Sequence, residues 1–135
     1  MRVRCIKDNA SSFPDEYFHV GYTPSSEFNL KIGDYYTVYG INLWQGIFSY
    51  LLIGDRSERP NWYPVDAFQI IENSLPANWF VAFFDEEEKN GLKMIIGYDE
   101  IVNSVDTHHD ALIDERDEQA LGIFYQRKAE IEDFN

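Results

Sequence analysis

The chain has 135 residues, with 24 acidic and 11 basic side chains, a net charge of -13, and 44% hydrophobic and 16% aromatic residues. That size and apolar content predict one domain, residues 1–135, with its own core, and exclude disorder in spite of the charge. The charge argues against direct nucleic-acid or membrane binding, because both present fixed negative charge, and favours a basic protein partner.

The charge is uneven. Residues 1–70 hold 8 acids and 6 bases, whereas residues 71–135 hold 16 acids and 5 bases. Of the 22 aromatic residues, 18 precede Asp85. The chain reads as an aromatic, near-neutral body with an anionic end. Cys5 is the one cysteine. With no partner for a disulfide, it points to a reducing, cytoplasmic setting and to a small buried apolar role. The start, Met1-Arg2-Val3-Arg4-Cys5-Ile6-Lys7, lacks the apolar stretch of a secretory signal. Ile47 to Ile53 is far too short to span a membrane.

Val3–Lys7 alternates and predicts a first strand. Residues 9–29 interleave turn formers with Phe13, Tyr17, Phe18, Tyr22 and Phe28. Such a loop is expected to be ordered and folded back on the body. Gly33-Asp34 signals a turn before an alternating strand, Tyr35–Tyr39. Phe48–Ile53 is the next strand, followed by a polar turn over residues 54–61. Trp62-Tyr63-Pro64 is extended, since Pro64 disfavours helix at Tyr63. A 3-10 turn over residues 65–68 and a strand at 69–71 close the segment. Five short strands at this spacing suggest a small antiparallel barrel.

Leu30-x-Ile32-x-Gly33-Asp34, a strand reaching Val38, and Trp62-Tyr63-Pro64-x-x-x-Phe68-x-Ile70 together resemble an SH3-like barrel over residues 1–72. The resemblance implies a barrel closed by a last strand after a proline and a 3-10 turn. The chain departs from the peptide-binding members. Cys5-Ile6-Lys7-Asp8-Asn9 stands where they carry Ala-Leu-Tyr-Asp-Tyr, Trp44 is the sole tryptophan near their paired position, and Phe68 falls where they place a tyrosine. Recognition of proline-rich peptides is therefore not expected.

Residues 73–135 read as a hairpin plus a C-terminal helical extension. Trp79–Phe84 is a strand apolar on both faces, predicting cover on both sides. Asp85-Glu86-Glu87-Glu88-Lys89-Asn90-Gly91 is a charged tip with Asn90-Gly91 as its turn, and Lys93–Tyr98 returns. Asp99–Asn103 predicts one helical turn, and residues 104–113 are helical in part. Asp114-Glu115-Arg116-Asp117 caps a last helix running to about Glu132, with Ala120, Leu121, Phe124, Lys128 and Ile131 near one stripe. The whole is α+β: a small antiparallel SH3-like barrel extended by a β-hairpin and a C-terminal helix.

No Gly-x-Ser-x-Gly elbow and no phosphate-cradling glycine loop is present, so neither an enzyme nor a cofactor site is expected. The one catalytic-looking cluster is Asp106-Thr107-His108-His109-Asp110, with Asp114 four residues on. On a helix, Asp106, His109, Asp110 and Asp114 align, which suits a divalent cation and a metal-dependent enzyme as one alternative. Adjacent histidines, however, point about 100° apart on a helix. An acidic surface helix is the simpler reading, with no metal.

The segment around residues 106–118 concentrates Asp106, Asp110, Asp114, Glu115, Asp117 and Glu118, with Glu100 nearby and Arg116 as its one base. These acids, with Trp44 and Trp62 as aromatic anchors, are the expected surface for a basic protein partner. In size, charge and lack of catalytic motif the chain resembles bacterial immunity proteins, which block a toxin, often a nuclease with a basic active site. A nucleic-acid mimic that occupies a DNA-binding protein is the other alternative.

Overall fold

The computed structural model describes residues 1–85 and 87–135. Glu86, part of the expected acidic tip, lies outside the described residues.

Eight strands run in order: β1 (Arg2–Cys5), β2 (Tyr35–Thr37), β3 (Gly40–Trp44), β4 (Ile47–Ile53), β5 (Pro60–Pro64), β6 (Phe68–Glu72), β7 (Phe80–Phe83) and β8 (Leu92–Gly97). Three α-helices follow: α1 (Asp99–Asn103), α2 (Asp110–Ile113) and α3 (Glu118–Phe134), with a single π turn at Val105–His109 between α1 and α2. The strands form two antiparallel sheets, β2-β1-β6 and β5-β4-β3-β8-β7, rather than one closed barrel. The hairpin β7-β8 hydrogen-bonds directly to β3, so the segments before and after residue 72 share one sheet.

β3 is the strand missing from the sequence reading. Gln45 and Gly46, with φ of 48° and 82°, make a two-residue turn that joins it to β4. Glycine supplies the second positive φ, and the twist of such a turn matches that of the strands it joins. Gln-Gly is a weaker turn signal than Asn-Gly. The expected Asn90-Gly91 turn has the same form, with φ of 53° and 94°. With β3 in place, the first-half meander has both an added strand and a free flank. β8 takes that flank, and the sheet grows sideways instead of closing.

Alternation explains most burial. Val3 and Cys5 of β1 point inward while Arg2 is exposed. Cys5 thus fills the small apolar role expected of it, and burial pushes its thiol up from the ordinary value. In β4, Tyr50 and Leu52 enter one core while Leu51 and Ile53 face another. The five-stranded sheet therefore lies between two cores. The first joins it to the three-stranded sheet and to the 9–29 loop, whose Phe13, Tyr17, Tyr22 and Phe28 rings contact one another. The second joins it to the helices, centred on Phe124, Ile95 and Ile101. Full burial of a side chain like Phe124 contributes about 2 kcal/mol.

α3 follows its predicted stripe: Ala120, Leu121, Phe124 and Ile131 are buried. It starts at Asp117, whose carboxylate accepts from the Ala120 amide at 3.0 Å. Arg127 reaches Glu100 of α1 through two hydrogen bonds of 2.8 and 2.9 Å, fixing the helices against each other.

β7 departs from expectation. It is the edge of its sheet, paired to β8 alone, and α1 packs against it. Phe80 and Val81 are about half exposed and Phe83 is 75% exposed. Two apolar faces did not mean two covering layers, because the sheet ends there.

Two glycines make opposite predictions. A Cβ at Gly97 would lie 2.7 Å from Cγ2 of the fully buried Ile101, whereas one at Gly122, in α3, meets nothing within 4 Å. Gly97→Ala is expected to destabilise the fold by about 1–3 kcal/mol through overpacking. Gly122→Ala should stabilise it by roughly 0.5–1 kcal/mol through helix propensity. Urea denaturation of the two variants checks both signs.

Candidate functional site

A cleft of about 440 Å³ opens between the helix-side face of the five-stranded sheet and the π turn with α2. β3 supplies Asn42 and Trp44, β4 supplies Ser49, and β5 supplies Trp62. Strand period places these on one face. Asn42 lies opposite Ser49 in the ladder, and Trp62 lies opposite Leu51, two residues along from Ser49. The opposite wall is Asp106, His109, Asp110 and Asp114. These four align as the helical spacing predicts, although the element is a π turn running into α2. Its widened geometry shows in the His109 amide, which reaches back five residues to the Ser104 carbonyl at 3.4 Å.

The two histidines part company. His109 turns into the cleft, where Trp62 Nε1–H donates to its Nε2 at 2.9 Å. With Nε2 accepting, Nδ1 carries the ring proton and donates to Asp110 Oδ1 at 2.9 Å. The Trp62–His109–Asp110 chain thus pins the indole ring, which lies tilted over the imidazole with centroids 5.9 Å apart. Trp44 is pinned separately, its Nε1–H donating to the Asn90 carbonyl at 2.9 Å. His108 turns inward, buried, with Nε2 2.7 Å from the Tyr98 hydroxyl and no partner for Nδ1.

The cluster's ligating atoms are engaged within the protein. Both ring nitrogens of His109 are occupied by protein groups, and Asp106 is held by Lys89 Nζ at 2.9 and 3.0 Å. Among the described residues no group of three or more His, Cys, Asp or Glu side chains is placed to hold a metal ion. In this arrangement the His109 Nε2 lone pair accepts from the Trp62 indole.

The acidic segment is more compensated than its local sequence suggests. Lys89 pairs Asp106, Arg59 pairs Glu118, and Arg127 pairs Glu100. All three bases come from distant segments. Arg116, the local base, instead offers its carbonyl to Arg59 Nη1 at 3.0 Å. Of the six acids between 106 and 118, Asp106, Asp110 and Asp114 line the cleft beside Trp44 and Trp62. Glu115, Asp117 and Glu118 lie beyond it at the entry to α3, where Asp117 is the helix cap. Asp114 makes neither an ion pair nor a side-chain hydrogen bond among the described residues. Asn42 and Ser49, the cleft's floor, carry no strong sequence signal. A polar residue alternating with apolar ones in a strand reads as solvent-facing, and only the helices show that it is covered.

Comparison with protein-family models, curated proteins and solved structures gave no match. Among the described residues no helix is long and apolar enough to cross a membrane.

Burial holds the His108 imidazole below its ordinary value of 6.5, against the pull of the Glu100 carboxylate. The unfolded chain takes up this proton near 6.5 and the folded chain only at lower pH. Stability is therefore expected to fall as the pH drops through 6.5, because the unfolded state binds more protons in that window. His108→Gln removes this contribution while leaving His19 and His109 in place. Urea midpoints above and below pH 6.5 should show a shallower pH dependence in the variant; an unchanged slope rejects the assignment.

Proposed function

We propose that the chain is a small acidic protein-binding module that docks a basic partner, of the kind an immunity-type inhibitor uses against a basic toxin or nuclease. One observation carries the reading: three strands and the π turn with α2 bring Trp44 and Trp62 beside Asp106, Asp110 and Asp114 in one open cleft. Aromatic anchors flanked by carboxylates suit a cationic surface, with charge speeding encounter and the rings providing the buried contact. The anionic wall repels phosphate, which supports a protein over nucleic acid as partner.

The SH3-like reading of residues 1–72 belongs to the same proposal. Support comes from connectivity: β1 pairs with both β2 and β6, β3-β4-β5 form a meander, and Pro64 leads through a 3-10 turn at Val65–Ala67 into the last strand. In this view the barrel is opened by the hairpin that pairs with β3. The nucleic-acid mimic has less support, since Lys89, Arg59 and Arg127 neutralise three of the acids that would stand for phosphates.

The test is capture from a lysate of the source organism at low and high salt, with the triple variant Asp106→Asn, Asp110→Asn, Asp114→Asn as control. A basic protein retained at low salt by the native chain, released at high salt and lost to the variant, is the expected result. Identical retention by both chains overturns the proposal.

A further inference from the structure

We infer that the cleft is built to receive a guanidinium group, the side chain of an arginine on the docked partner. The inference rests on reading the chain as a docking module for a basic protein, and it specifies the chemistry of that contact.

The floor is the first argument. Asn42 is 6% exposed and Ser49 7% exposed, and they face each other across β3 and β4. Asn42 Oδ1 has no hydrogen-bond partner. A buried acceptor without a donor is costly, and native structures rarely leave one so. Oδ1 is covered as placed, so a ligand that brings an N–H to the floor removes that cost once the amide turns its oxygen toward the cleft.

The walls are the second argument. Both indole N–H groups are already committed, Trp44 to the Asn90 carbonyl and Trp62 to His109. The rings therefore offer their π faces and edges, not donors. Such surfaces attract a cation, and above all a flat one that stacks.

The rim is the third. Asp114 is uncommitted among the described residues, and Asp110 has given one oxygen to His109. Lys89, the cleft's one lysine or arginine, is locked on Asp106. The site thus presents carboxylates and aromatic faces, with its one lysine and both indole N–H groups committed.

Three cations can be compared against this lining. A quaternary ammonium satisfies the rings but has no N–H for Asn42. A lysine ammonium has donors but is compact, strongly hydrated and does not stack. A guanidinium is planar, weakly hydrated and carries five donors in a fixed fork, so it can stack on an indole while donating to Asn42 and to a rim carboxylate.

The experiment uses the full ¹⁵N-labelled chain titrated with the tripeptides Gly-Arg-Gly, Gly-Lys-Gly and Gly-trimethyllysine-Gly. The side-chain N–H signals of Trp44 and Trp62 are the readout. Gly-Arg-Gly is expected to shift both saturably and to bind several-fold more tightly than the other two peptides. Asp114→Asn, at an exposed position, and Asn42→Ala should each weaken it by roughly tenfold, as loss of a hydrogen bond to a charged group does. The backbone spectrum of each variant reports whether it is folded, and Asp114→Asn alone decides if Asn42→Ala is not. Three results overturn the inference: no indole shift with Gly-Arg-Gly, equal affinity for the three peptides, or affinity unmoved by Asp114→Asn. If the peptide fails while the lysate capture still depends on the three aspartates, the guanidinium assignment falls and the docking module stands. If capture shows no such dependence either, both fall.

Discussion

β3 is the constraint on which the rest of the molecule depends. It pairs with β4 on one flank and β8 on the other, so it joins the first-half meander to the hairpin. The chain leading into it ties the two sheets as well: the Val38 amide bonds the Met1 carbonyl at 3.0 Å and the Tyr39 amide bonds the Leu51 carbonyl at 2.8 Å. Ile41 then serves the first core, while Asn42 and Trp44 form part of the cleft. A one-residue slip of this strand would exchange its faces, sending Ile41 into the cleft and Asn42 into an apolar core. Unpaired polar burial on that side makes such a slip strongly unfavourable.

Rigidity of the cleft follows from that placement. Its tryptophans sit on strands with partners on at least one side, and each indole is held by a hydrogen bond at its far end. The opposite wall is a short, irregular helical run held from behind. Val105 and Leu112 enter the second core, and Lys89 reaches across from the hairpin tip to Asp106. A solvent-screened pair such as Lys89–Asp106 adds little to stability. Its larger consequence is geometric, since it ties the tip to the cleft's acidic wall. The preorganised lining spares a partner much of the ordering cost that association on a mobile surface would carry.

Charge is distributed by the same logic. Asp117 caps α3, Glu100 clamps α1 to α3, and Glu118 anchors Arg59, so three of the seven acids singled out from the sequence serve the fold. Those left over are not spread at random. Asp110 and Asp114 face the cleft beside two aromatic rings, which makes them different in kind from acids that serve only solubility.

Much of this was legible from local signals. The Asn90-Gly91 turn, the inward alternation of β1, the ordered aromatic loop, the 3-10 turn before β6, the cap at Asp117 and the buried stripe of α3 all depend on period, turn chemistry or capping. These operate over a few residues, and the chain states them outright. The alignment of Asp106, His109, Asp110 and Asp114 is of the same kind. Tertiary structure alone decided that β3 exists as a central strand, that the sheets stay open, that β7 is an edge, and that Lys89 and Arg59 neutralise acids 17 and 59 positions away. It also decided that Trp44 and Trp62 meet the acidic wall over a buried Asn42. Such contacts depend on strand register and on which faces the helices cover. Those are settled by the packing free energy of the whole chain, which no short window of sequence contains.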